Sequence, residues 1–267
     1  MEVGTPSPAS PALAGLGVVV RPTLLFVAAY SLSISPHEAV HALVSYFLGF
    51  NSTLFQMWVD PDVASATPVQ LAAIAAAGPT FSLVIGLFSW LLYEKIYRLK
   101  PAGLFFLMMA SVGVYSFLGP MAGAAFGGDF NNALRFMAAS RTVRYVVSAL
   151  GITLVSGFMF FMGMELSGWA PLSCGRAKNV ISTTVAPWLI GPLFIIPLYW
   201  PLPRLLIASI FGGSVFWAFA VSGAAVRSSR AGTDHHPISA ITRFDVVVTI
   251  VAIAMVRTLA HGVRIAH

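Results

Sequence analysis

Charged side chains are scarce in this 267-residue chain. Asp, Glu, Lys and Arg together make up 9% of it, against ~25% in soluble domains. A 28.4 kDa water-soluble globule could not cover its surface with so few charges, and 58% of the residues are hydrophobic, with a mean hydropathy of +0.85. A soluble enzyme and a disordered chain are both excluded on this ground. Cysteine is nearly absent. Cys174 is the only one, so neither an intrachain disulfide nor a CxxC-type metal site can exist. A basic stripe interleaved with aromatics is also missing. The 15 Lys and Arg residues sit at the ends of apolar runs, so the net charge of +6 does not point to nucleic acid. No basic segment precedes an apolar core at the start of the chain, which argues against a secretory signal. Residues 1–21 are read instead as a flexible, proline-rich tail, although 14–21 also admits a short strand or a lead-in to the first span.

What is present is a series of long apolar runs: 22–50, 68–93, 101–126, 145–164, 180–200 and 205–226. Each approaches or exceeds the ~20 residues that cross a bilayer. The expected fold is therefore an all-α membrane protein, a polytopic bundle of six transmembrane helices with a metal site inside. The membrane domain spans 22–226, with its core at about 22–132. The tail 227–267 contains a candidate seventh segment, since 246–256 is apolar; an interfacial helix or a β segment fits it equally. Nine Lys and Arg fall on one side of six alternating spans and four on the other. The nine-residue side is expected to face the cytoplasm. The chain is expected to be multi-pass in a cytoplasmic membrane, with the lipid bilayer as its surroundings and no nucleic-acid partner.

The first run carries His37-Glu38-Ala39-Val40-His41, an HExxH motif. On a helix, positions i and i+4 share a face, so both imidazoles reach one ion. Zinc accepts such nitrogen ligands at ~2.0–2.1 Å. Glu38, beside the ligand pair, is placed to take a proton from a zinc-activated water and pass it to a leaving amine. Three ionisable residues within five positions of a span are costly without a partner, and a divalent metal is the simplest one. Pro36 removes a backbone N–H and crowds the Leu32 carbonyl, so a kink is expected there.

In the second run, Gly78-Pro79 is expected to bend or break the helix, exposing backbone groups that suit an extended peptide. Close helix packing at Ala75, Ala76, Ala77 and Gly78 is the alternative. After the third run, Gly127-Gly128 lets the chain turn sharply into Asp129. Asn131 and Asn132 follow, placed either to bind a substrate carbonyl or to cap a helix. Other acids and histidines available as a third ligand are Asp60, Asp62, His235 and His236; Glu165 reads as interfacial.

An HExxH motif in an apolar span, Gly78-Pro79 in the second and an aspartate after the third resemble the site-2 protease family of intramembrane metalloproteases. The resemblance covers about 22–132. Ser82 stands where that family usually has Asn, and the glycines precede the aspartate rather than following it. The resemblance implies Zn2+ held by His37, His41 and Asp129, Glu38 as the catalytic base, and a membrane protein as substrate. Gly78, Pro79, Ser82, Asn131 and Asn132 would then lie along the substrate. Three other readings stay open on the residues alone. They are a catalytically silent zinc protein that binds clients, a zinc hydrolase of lipid-like amides, and a transporter using the intramembrane His and Glu.

Overall fold

The computed structural model describes residues 11–169, 175–202, 210, 213–229 and 241–266. It is mostly helical. Among the described residues five stretches are long and apolar enough to cross a membrane: Val18–Phe47, Pro68–Tyr97, Gly103–Ala122, Arg141–Ser167 and Ala177–Leu198. The bundle expected to have six spans thus shows five by this measure. The described part of the sixth run includes a helix at Trp217–Ser228, and the tail contributes Arg243–Leu259; both are shorter than the ~20 residues of a full crossing.

In chain order the helices are α1 (Pro11–Phe47), α2 (Pro68–Leu92), α3 (Gly103–Ala122), α4 (Asp129–Phe136), α5 (Arg141–Ser167), α6 (Arg176–Val180), α7 (Ala186–Leu198), α8 (Trp217–Ser228) and α9 (Arg243–Leu259). Wider turns at Tyr93–Tyr97 and Ile181–Val185 continue α2 and join α6 to α7. The all-α expectation needs one amendment. Strands β1 (Ser52–Leu54), β2 (Val59–Pro61) and β3 (Val263–Ile265) form an antiparallel sheet in the order β2-β1-β3.

Local chemistry sets several helix starts. Thr67 and Gln70 form a reciprocal cap on α2, with Pro68 in its first turn, and Thr242 and Asp245 do the same for α9. Of the flexible tail expected over 1–21, residues 1–10 lie outside the described residues; over 11–21 the chain is helical, with the alternative of a lead-in to the first span holding for 14–21: α1 already runs from Pro11, and Val18 and Arg21 are buried. Arg21 is stabilised in that position by Asp245, with Nε 2.8 Å from Oδ2, and by the Pro101 carbonyl 2.7 Å from Nη2. Neither charged side chain is exposed to solvent. This pair joins the early part of α1 to the start of α9, while β3, just after α9, pairs with β1, just after α1. The two helices therefore run side by side in the same direction.

α3 is the central helix. From Gly103 to Val114 only Phe106 escapes burial. Its backbone meets that of α2 where Gly113 faces Gly86, and a Cβ on Gly113 would lie 2.7 Å from the Gly86 Cα. The outward faces of α2 (Val84, Leu87, Phe88, Leu91) and α5 (Tyr145, Val146, Leu150, Leu154) leave large apolar side chains exposed, as a lipid-facing surface requires. Glu165, expected at an interface, ion-pairs with Arg227 of α8 at 3.0 Å.

The β1–β2 connection folds back onto the bundle. Phe55 and Trp58 stack, with ring centroids 4.4 Å apart. Between them Gln56 is fully buried; its side-chain amide donates to the Tyr199 carbonyl at 2.7 Å and its backbone carbonyl accepts from Ser35 Oγ at 2.9 Å. The hairpin is thereby fixed one residue away from Pro36 and two from His37.

Candidate metal centre

Two helices and one short turn build the centre. α1 presents His37 and His41 one turn apart on one face, their rings edge-to-face with centroids 4.8 Å apart. α1 remains a single helix through Pro36. The third group arrives from the end of α3. There Gly128 adopts φ +83, a left-handed conformation that costs glycine little. Asp129 then starts α4, where the positive end of the helix favours a carboxylate.

The three candidate ligand atoms converge. His41 Nε2 lies 3.1 Å from His37 Nε2, and Asp129 Oδ2 lies 3.3 Å from His37 Nε2 and 3.7 Å from His41 Nε2. Tetrahedral ligands at ~2.0–2.1 Å from a zinc ion stand roughly 3.3–3.4 Å from one another. The observed triangle matches that spacing, so the donor set fits the ion. Both histidines are buried, and the Asp129 side chain keeps 31% exposure. Burial disfavours the charged Asp129 carboxylate. The hydrogen bonds and positive charge of His37 and His41 outweigh that penalty and hold its pKa below the usual carboxylate range.

α2 orients both rings. Ser82 Oγ is 2.8 Å from His37 Nδ1, and the Ile74 carbonyl accepts from His41 Nδ1 at 2.6 Å. With Nδ1 carrying the proton in His41, its Nε2 lone pair is left for an ion. Ile74, Gly78 and Ser82 are spaced four apart, forming one stripe of α2 that faces the two histidines in antiparallel register. Helix α2 is continuous through Gly78-Pro79, so the expected break is corrected. The stripe instead makes the close approach that small residues allow. Gly78 has no room for a side chain: the atoms nearest a Cβ built on it are His41 Nε2 and His37 Cδ2 and Nε2.

A cavity of about 740 Å³ opens beside the centre. His37, Glu38 and Asp129 lie in its lining, and aromatic residues including Tyr30, Tyr115, Trp188 and Trp217 line the remainder. Apart from this cluster of His37, His41 and Asp129, Asp60 and Asp62 are exposed and do not join it. His235, His236 and Cys174 lie outside the described residues. Of the residues expected along the substrate, Asn131 is buried and donates to the Ala124 carbonyl at 2.7 Å, holding the turn that delivers Asp129. Asn132 is exposed on α4. Pro79 is buried within α2. The role of Ile74 is absent from the sequence reading because a backbone carbonyl leaves no residue-type signal. A periodicity of four from Ser82 back through Gly78 was the available clue.

No protein-family model, no curated protein and no solved structure matches this chain.

Proposed function

We propose that the chain is an intramembrane zinc metalloprotease of a cytoplasmic membrane, which hydrolyses peptide bonds of membrane-protein segments in or near the bilayer. One observation carries this reading. The two HExxH histidines and an aspartate 88 positions after His41 meet at ligand spacing, and Glu38 shares the adjoining cavity. His37, His41 and Asp129 would hold the ion, leaving a fourth position. A bound zinc would polarise the scissile carbonyl and acidify a water molecule.

The remaining steps belong to the protein. The Ile74 carbonyl fixes the tautomer and ring orientation of His41, and Ser82 orients the ring of His37. Glu38 accepts a proton from the attacking water as its oxygen bonds to the peptide carbon. Glu38 then gives that proton to the departing nitrogen as the C–N bond breaks. The largely apolar walls of the cavity lower the local polarity and so strengthen the charges acting within it. The substrate must enter unwound, since a helical amide is already engaged in its own hydrogen bonds.

The test is cleavage of a transmembrane peptide library by purified protein, with metal content measured on the same samples. Glu38→Gln is expected to keep about one zinc and to lose about 10²–10⁴-fold in cleavage rate. Cleavage undiminished in Glu38→Gln would overturn the reading. Zinc bound by wild-type protein without any cleavage would favour a silent, client-binding protein. Ion flux requiring His37, in protein that holds no zinc, would favour a transporter.

A further inference from the structure

We infer that Gly78 is the positioning residue that makes the centre able to take an ion, and that its missing side chain is required by the metal rather than by the fold. This rests on the metal reading above. It concerns a residue in neither the HExxH motif nor the ligand set.

A Cβ on Gly78 would fall in contact with His41 Nε2 and 2.6 Å from His37 Nε2. These are the two atoms that face Asp129 Oδ2. A methyl group on Gly78 therefore crowds both candidate ligand nitrogens at once and would push the rings that carry them out of place.

The nature of the obstructing atoms separates metal from fold. The three nearest to a Cβ on Gly78 are all imidazole ring atoms, the far ends of two side chains, which shift more readily than backbone even though Ser82 and the Ile74 carbonyl hold them. At Gly113 the nearest atoms are the Gly86 Cα and N and the Ser82 carbonyl oxygen, all backbone of α2. Backbone in a packed bundle cannot yield so easily. Glycine inside a helix is otherwise a liability, since alanine favours the helical state. A glycine mid-helix, where alanine would suit the helix better, lets both imidazoles approach α2, and we assign that approach to the ion.

The experiment compares detergent-purified wild-type protein with Gly78→Ala. Zinc content and thermal unfolding are measured with and without added zinc. Wild type is expected to hold about one zinc and to unfold at a higher temperature when zinc is added. Gly78→Ala is expected to hold below about 0.1 zinc and to show no shift on adding zinc. Its metal-free unfolding temperature should fall by less than that of Gly113→Ala, whose methyl group meets backbone. Zinc retained in Gly78→Ala at the wild-type level would overturn the inference. A fall as large as that of Gly113→Ala would overturn it too, because the glycine would then serve the fold.

Should Gly78→Ala fail to purify in a folded form, the comparison moves to protein carrying both His37→Ala and His41→Ala, with and without Gly78→Ala. Adding Gly78→Ala is then expected to leave the protein at least as stable, since both rings that the methyl meets are gone. A less stable protein would overturn the inference. Wild type that neither binds zinc nor responds to it would overturn the metal reading itself, which is a separate result from zinc retention in Gly78→Ala.

Discussion

His37 Nδ1 and Ser82 Oγ lie 2.8 Å apart, both buried, joining the motif helix to the helix packed beside it. The hydroxyl orients the ring that contributes one candidate ligand. Partners of this kind are commonly worth about 10–100-fold in metal affinity. Ser82→Ala is therefore expected to weaken zinc binding by about that factor. Ser82→Thr, which keeps the hydroxyl, should lose less. Chelator competition on the purified variants checks this, and equal affinity in Ser82→Ala would remove the serine from the centre.

Zinc binding should fall on acidification through histidine protonation, with Asp129 taking no part near neutrality. The sign follows from its depressed pKa in the folded protein. A carboxyl so shifted stays ionised as pH falls through its unfolded value and protonates only below that. Ligands must shed their protons to bind, so competition from two imidazole protons would lower the affinity by up to about a hundredfold per pH unit on the acid side. Titrating zinc at several pH values checks the slope. An acid limb confined to the carboxylate range, at about pH 4, would contradict it.

Arg21 and Asp245 are fully buried against each other. Removing one partner leaves the other charge stranded, which costs about 3–5 kcal/mol. Arg21→Met alone should lower the unfolding temperature sharply. Arg21→Met combined with Asp245→Leu should recover most of the loss, less the α9 cap that Asp245 also provides. Thermal unfolding of the three proteins in one detergent measures this.

Gly113→Ala is expected to be destabilising by about 1–3 kcal/mol, because its methyl group meets the backbone of α2. The same substitution at Gly78 meets only ring ends. Parallel melts of the two variants, both without metal, should therefore show the larger fall for Gly113→Ala.

How much of this was legible in the sequence depends on the range of each contact. His37, Glu38 and His41 were readable because one helical turn relates them. Asp129 was readable through the glycines that turn the chain ahead of it. The Ser82–His37 and Ile74–His41 contacts depend on the antiparallel register of two helices, which no local pattern records. The strands β1, β2 and β3 have three residues each, too few for an alternating pattern to register. Helix α1 starts earlier than expected because the basic residue that seemed to end a tail, Arg21, finds its counter-charge in Asp245. Gly78-Pro79 reads locally as a break, yet α2 continues because the proline is absorbed within a packed helix.

The β1–β3 pairing also fixes an order of events during synthesis. Every candidate ligand has been made once Asp129 is reached, but the strand that borders β1 is not complete until Ile265. At ~5–20 residues per second the intervening 136 residues take roughly 7–27 s. During that interval α1, α2 and α3 can assemble while one edge of β1 stands unpaired. The nascent chain thus has all three candidate ligands before β3 covers that edge, and a stalled ribosome in that window would hold the three side chains next to an open strand edge.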